Sequence, residues 1–328
     1  MSLREPVAAA SAPTAPRFSY HDGTAALSEQ ALFAVSFGAA PVATAHGVHI
    51  GLQPLRGAGL CELWHGSGPV SCGREGLVRY GADGSHLAGL IELDEREHGG
   101  LAAAAQLAYA EIARFQSLSG YAHLLRIWNY FDAINSGTGD EERYKQFCLG
   151  RAAGLTLAPG SGHPAATAIG RRDGTALLQV YWLAGRRPGL ALENPRQLSA
   201  YCYPRQYGPA APRFSRAMLV PGPLLMVSGT ASIVGHASQH ADNVRGQLLE
   251  TLANLQSIQQ RALATAPALA QRLGAGTLLK AYLRHGAALD ELEQLLAERL
   301  PGVRCIVLEA DICRRELLVE VDCVHGSG

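Results

Sequence analysis

The sequence predicts an α+β protein made of two related units, and three observations carry that prediction. Strands and helices follow one another in the same order twice, about 140 residues apart along a chain of 328 residues. The helical stretches carry one apolar stripe each, so they pack on one face of a sheet. The strand-like stretches are short and bounded by turn residues. In the second unit Leu224–Ser228 is an apolar strand. A helix from about Asn243 to Arg261 follows, with Val244, Leu248, Leu252, Leu255 and Ile258 on one side. Then come a strand near 277–284, a helix carrying Leu289, Leu292, Leu296 and Leu300, and closing strands near 304–309 and 316–323. The first unit repeats the order with helices at 101–118 and 141–153 and strands at 124–129, 165–169 and 176–183. The mixed sheets therefore carry their helices on one face. The expected boundaries are a loose Ala- and Pro-rich tail over 1–16, a first unit over 17–190, a linker over 191–214 and a second unit over 215–328.

Composition narrows the function classes. Hydrophobic residues make up 48% and charged residues 17%, as in a compact globular protein. Twenty-eight basic residues balance 28 acidic ones, which argues against a nucleic-acid partner. No run approaches the length of a membrane-spanning helix, so no membrane partner is expected. Seven scattered cysteines without a CxxC pair read as free thiols in a reducing cytoplasm. His236 and His240 lie four apart but lack further ligands at zinc spacing, so no metal is expected. No phosphate-binding glycine loop and no GxSxG elbow occur, and no cofactor is expected.

The closing strand holds the candidate catalytic group. Leu317, Val319, Val321 and Cys323 alternate with Leu318, Glu320 and Asp322, so one face is apolar and Glu320 lies on the other. The strand alone admits two arrangements. At an edge, Glu320 is in solvent; if the second face is covered, Glu320 loses water, its acid form is favoured, and it can deliver a proton near neutral pH. Matching Leu177–Leu178 to Leu317–Leu318 sets Val180 opposite Glu320, so one unit has an acid where the other has an apolar residue. The linker segment 192–209 has Tyr201, Tyr203, Tyr207, Arg196 and Arg205 broken by three prolines. Proline fixes the backbone, and guanidinium among phenols suits a planar carboxylate. It reads equally as a linker whose tyrosines cover a seam.

The second unit, from SGTASIVGH (228–236) through Gln247, Thr251 and Asn254 to LLVEVD, resembles the YjgF/RidA proteins. The resemblance implies chorismate-mutase-like α+β units with ligand clefts between sheets. From Leu101 onward the chain more closely resembles the chorismatases. The motifs are RIWNYFDAIN (126–135), ERYKQFCLGR (142–151), HPAATAIG (163–170), ENPRQLSAYCYPRQYGP (193–209), SGTASIVGH, KAYLRH (280–285) and DICRRELLVEVD (311–322). That family cleaves chorismate to pyruvate plus a hydroxybenzoate or a dihydroxycyclohexadiene carboxylate. The resemblance implies that Glu320 protonates the methylene of the enolpyruvyl ether. It also implies that Cys313 marks formation of 3-hydroxybenzoate, whereas Ala231 stands where some aromatic-forming members have Gly, a signature that also fits a mixture with 4-hydroxybenzoate.

Candidates for the two substrate carboxylates are Arg143, Arg151, Arg205 and Arg284, with Tyr203 and Tyr207 as phenolic donors. Arg304 takes the place of the carboxylate-binding arginine of RidA-like proteins. The expected partner is the small molecule chorismate, with the chain a monomer or small homo-oligomer. A chorismate hydrolase giving the dihydroxycyclohexadiene carboxylate, a RidA-type enamine/imine deaminase and a non-catalytic aromatic-acid binder are the alternatives.

Overall fold

The computed structural model describes residues 15–22, 31–38, 46–57, 59–157 and 162–326. The tail expected over 1–16 falls, up to residue 14, outside the described residues. Apolar alternation and β-branched or aromatic side chains place the described strands, one small hairpin apart, in three sheets around one core. The first sheet comes from the N-terminal 65 residues: β1 (Arg17–Asp22), β2 (Ala31–Gly38), β3 (Gly47–Ile50) and, after the two-residue β4 (Gln53–Pro54), β5 (Gly59–His65). Its order is β1-β5-β2-β3. β4 leaves this sheet and pairs through Pro54 with Leu308 at the edge of the third sheet. The sequence had placed residues 17–190 in one unit; they build two distinct sheets and lend β4 to the edge of a third.

The second sheet and its helices form the first unit. β6 (Ser71–Glu75) and β7 (Val78–Ala82) extend it, and β8 (His86–Asp94), α1 (Leu101–Ser119), β9 (His123–Asp132), α2 (Arg143–Gly154), β10 (Ala165–Arg171) and β11 (Leu177–Gly185) build it. α2 lies hard against α1 because Gly150 and Gly154 bring no side chain. A Cβ at Gly150 would stand 2.0 Å from the Ala102 carbonyl oxygen, and one at Gly154 2.2 Å from that of Gln106.

The third sheet begins with β12 (Leu190–Leu192) and β13 (Ala217–Val220). β14 (Leu224–Ala231) continues it; a separate small hairpin of β15 (Ile233–Val234) and β16 (Ala237–Ser238) and the helix α3 (Val244–Thr265) follow, and the sheet is completed by β17 (Thr277–Leu283), by β18 (Arg304–Glu309) after the helix α4 (Leu289–Arg299), and by β19 (Val319–His325). Asn243 caps α3 by accepting from the Gly246 amide at 2.9 Å. The internal repeat is visible in the strand order: β10-β9-β11-β8 in one sheet matches β18-β17-β19-β14 in the other. β9 and β10 run parallel across α2, as β17 and β18 do across α4.

The helices cover the outer faces. α1 and α2 pack on Leu178, Val180 and Trp182. Leu248, Leu252 and Leu255 of α3 pack with Val319, Val321 and Cys323. The inner faces of all three sheets meet in one core that includes Trp64, Trp128, Tyr181, Met226 and Tyr282. The Trp64 and Trp128 rings are 5.2 Å apart, and Trp128 stacks on Tyr181 at 5.1 Å. This geometry corrects the match of Val180 to Glu320. Val180 points to its helices, whereas Glu320 points away from its own; the matched face of β11 carries Gln179, Tyr181 and Leu183. A strand alternates with period two, so a shift of one residue exchanges faces. The asymmetry stands in the corrected register, because none of those three residues is an acid.

Candidate active site

Where the two units meet, β10, the edge of its sheet, runs beside β14. The Ser228 hydroxyl donates to the Ser215 carbonyl at 2.6 Å and accepts from the Ala166 amide at 2.9 Å. Just beyond this junction lies a cavity of about 260 Å³. Its walls are α2 and β10 of the first unit, β14 and β19 of the second, the strap around Tyr203 and Tyr207, and the loop carrying Cys313 and Arg314.

Glu320 lines this cavity and is 5% exposed. In the sheet it lies between Ala231 of β14 and Tyr282 of β17. Burial, and then the like charge of Asp322, push its carboxyl up to about 8 against the opposing pull of Arg126 and Arg216. At pH 7 the group is therefore mostly in the acid form. Gly229 makes room for it: a Cβ there would lie 2.0 Å from the Glu320 Oε1. Cys313 places its Sγ 4.0 Å from the Glu320 Oε2, and burial raises its thiol well above the usual range. On the facing helix α2, burial pushes the Cys148 thiol up to about 12 and raises the Tyr144 phenol well above its ordinary value.

Cationic groups flank the acid. Arg151, on α2, is 3% exposed and donates from Nη2 to the Arg213 carbonyl at 2.8 Å. Arg216, at the head of the third sheet's β13, is 4% exposed and donates from Nη2 to the Leu198 carbonyl at 2.6 Å and to the Tyr203 hydroxyl at 2.8 Å. The Nε of each of these arginines is buried without a hydrogen-bond partner. Arg314 sits over the rings of Tyr207, at 4.0 Å, and Tyr203, at 5.3 Å. Cationic side chains on aromatic faces hold the strap in place over the cavity.

Of the residues singled out in the sequence, Glu320, Cys313, Arg151, Tyr203, Tyr207 and Ala231 line the cavity. Four arginines do not, and the carboxylate-binding role expected of them is corrected. Arg143 is drawn off by Glu95, at 2.8 and 2.9 Å. Arg205 is largely exposed and pairs with Asp140 at 2.6 Å. Arg284 straps the loop before β19, donating to the carbonyls of Leu317, Ile312 and Arg314 at 2.8, 3.1 and 2.9 Å. Arg304 donates to the Tyr20 carbonyl, far along the sheet. Sequence reasoning missed Arg216, Arg314, Thr167 and Gly229. Arg216 carried a readable signal, a charge set between Phe214 and the apolar run Ala217–Val220, the same anomaly that marks Glu320. His236 and His240 have separate partners, Tyr207 at 3.1 Å and Glu250 at 3.5 Å. None of the described helices is long and apolar enough to cross a membrane.

Fold and cavity together define an α+β protein with a buried acid at the seam of two repeated units. Residues 62–184 match the family described as chorismatase FkbO/Hyg5-like, N-terminal. A chorismatase of Streptomyces rapamycinicus is 35% identical over 278 residues, covering 80% of each chain. A 3-hydroxybenzoate synthase of Streptomyces hygroscopicus is 32% identical over 277 residues, again covering 80% of each. A chorismatase crystal structure, 29% identical, superposes with a TM-score of 0.84 over 95% of this chain and 98% of the other. The chain belongs to the chorismatase family.

Proposed function

We propose that this protein cleaves the enolpyruvyl ether of chorismate, releasing pyruvate and 3-hydroxybenzoate, with 4-hydroxybenzoate as a second product. The observation that carries the reading is a mostly protonated carboxyl, Glu320, facing a cavity flanked by two buried arginines whose Nε groups lack partners. Chorismate is a dianion, and two guanidinium groups suit its two carboxylates. The acid form of Glu320 gives its proton to the terminal methylene. The C=C pair forms the new C–H bond, and an oxocarbenium ion remains. Water adds to that carbon, the resulting hemiketal collapses, and pyruvate departs while the ring keeps its oxygen at carbon 3. Loss of the carbon-4 hydroxyl as water, with a ring proton, then gives 3-hydroxybenzoate. If the carbon-3 oxygen departs with pyruvate instead, 4-hydroxybenzoate results. General acid catalysis of this kind contributes on the order of 10²–10⁴ in rate.

Cys313 and Ala231 flank the acid on the side where the ring would lie, which supports a role for both in the choice of product. The relatives named chorismatase and 3-hydroxybenzoate synthase support the substrate class. The test is to incubate the purified protein with chorismate, measure pyruvate with a coupled dehydrogenase and resolve the aromatic products by chromatography. Pyruvate together with a hydroxybenzoate is the expected result, and Glu320→Gln should slow it at least ~100-fold. Unchanged chorismate overturns the reading; ammonia release from unsaturated amino acids in its place would mark a deaminase.

A further inference from the structure

Behind the acid, on the side away from the cavity, lies a chain of buried charges that the proposed reaction does not use. Asp322 follows Glu320 by two residues and shares its face of β19. The Asp322 Oδ2 accepts from the Trp128 Nε1 at 3.2 Å, the Tyr282 hydroxyl at 3.2 Å and the Thr167 hydroxyl at 3.1 Å. Arg126 lies 3.4 Å from the same oxygen. Lys280 has its Nζ 3.9 Å from the Asp322 Oδ1 but only 2.8 Å from the Glu62 Oε2. Burial opposes the charge on Lys280, yet Asp322 and Glu62 outweigh it and raise its affinity for the proton. Arg126 and Lys280 both sit on the Trp128 ring, at 4.4 and 4.9 Å. Glu62 in turn accepts from the Trp64 Nε1 at 2.6 Å. All four charged side chains are 3% exposed or less.

These charges come from all three sheets: Glu62 from β5, Arg126 from β9, Lys280 and Asp322 from β17 and β19. A buried charge network without a function is weak support for stability, since an apolar replacement of the same shape serves as well or better. Its placement directly behind the acid suggests another use. Glu62 holds the Lys280 ammonium at 2.8 Å, against 3.9 Å to Asp322, so Lys280 neutralises the negative charge of Asp322 only in part. A like charge that close favours the protonated carboxyl.

Resting on the reading of Glu320 as the proton donor, we propose that Asp322 is a positioning residue that keeps Glu320 protonated, and that Glu62 of the N-terminal sheet sustains this by holding Lys280 away from Asp322. The other charged or titratable groups near Glu320 are Arg126 and Arg216, which oppose Asp322, and Cys313, Tyr144 and Cys148, whose thiols and phenol are held neutral by burial. Arg151, Arg314, Glu142 and Glu316 line the cavity farther out. The N-terminal sheet lends no residue to the cavity wall. Its contribution to catalysis would be electrostatic.

The experiment reads the titration of Glu320 without substrate, so that its outcome is separate from that of the chorismate assay. Carboxyl-labelled glutamate is followed by carbon NMR, and the Glu320 signal is assigned by its loss in Glu320→Gln. In Glu62→Gln, which keeps an acceptor for Trp64, Lys280 is released toward Asp322, and the acid constant of Glu320 should rise severalfold. In Asp322→Asn it should rise tenfold or more. The basic limb of the kcat–pH profile should move down in pH by the same factors. A Glu320 midpoint in Glu62→Gln equal to that of the parent overturns the proposal, whether or not the Asp322 variant folds. A loss of rate in either variant with an unmoved limb also overturns it, because a merely structural role behaves that way.

Discussion

Gly229 illustrates how closely the site is fitted at the level of single side chains. Its missing Cβ is the space that the Glu320 carboxyl occupies, with Oε1 2.0 Å and Cδ 2.9 Å from where a methyl carbon would stand. Both atoms belong to a side chain locked in a sheet, so Gly229→Ala must displace the acid. A misplacement of about 1 Å costs on the order of 100-fold in rate. Gly229→Ala should therefore lose about that much pyruvate release while its circular dichroism stays that of the parent. Cys313 poses a different question. Its thiol stays neutral and lies 4.0 Å from the acid, so it is suited to guiding the ring or a proton and not to nucleophilic attack. Cys313→Ala should keep pyruvate release within a few-fold and change the ratio of aromatic products; a parent ratio by chromatography would remove Cys313 from that role.

The element that presents both Cys313 and Glu320 is the loop 310–318 running into β19, and Arg284 at the end of β17 holds it. Three backbone carbonyls of this loop accept from one guanidinium, which also pairs with Asp311 and donates to the Asn135 amide oxygen at 3.1 Å. Read from the motif KAYLRH, Arg284 was a candidate for substrate. In the fold it is a strap, because the fork geometry of a guanidinium suits several converging carbonyls. Arg284→Met takes this shared donor from all three carbonyls and leaves Asp311 to Arg172 alone, at 2.7 Å, and should destabilise the protein by about 3 kcal/mol. Arg284→Lys should rescue little of this, since an ammonium is a point charge without the fork. Thermal unfolding of the two variants checks the order, and equal melting temperatures for parent and Met variant would count against the strap.

Across the whole molecule, a carboxyl with a raised folded value leaves a mark on stability. The folded protein holds the Glu320 proton up to about pH 8, whereas an unfolded glutamate releases it near 4.5. The native state therefore binds more protons over that window, and stability falls as pH rises through it, by up to ~1.4 kcal/mol per pH unit from this group alone. Below about 4.5 the effect is absent, and above about 8 it is complete. Glu320→Gln removes it, so the variant should be more stable than the parent at pH 9 and show no corresponding decline between pH 5 and 8. Denaturant unfolding at three pH values tests this, and parallel curves for parent and variant would refute it.

How much of this was written in the chain differs between levels. The order of strands and helices in both units was legible, because periodicity of 3.6 and 2 is a local property, and the helix at Val244–Thr265 and strand at Ala165–Arg171 lie close to their expected places. Glu320 was legible as an acid in an apolar strand, and Tyr203, Tyr207 and Arg151 as parts of motifs. The register of Val180 against Glu320 was not, because two similar strands can be matched one residue apart and only packing on the helices shows which face is which. The first sheet, β1-β5-β2-β3, was not legible either. Its strands belong to no repeat, and strand pairing is set by contacts far apart in sequence. The arginines show the division most clearly. Residue type and motif nominated five, while Glu95, Asp140, Asp311 and the Tyr20 carbonyl claimed four of them. The sequence by itself determined that an acid would sit on a half-hidden strand in a repeated α+β chain. Only the tertiary structure decided that this strand is covered on both sides and which cations stand nearby, because burial and charge pairing are properties of neighbours in space.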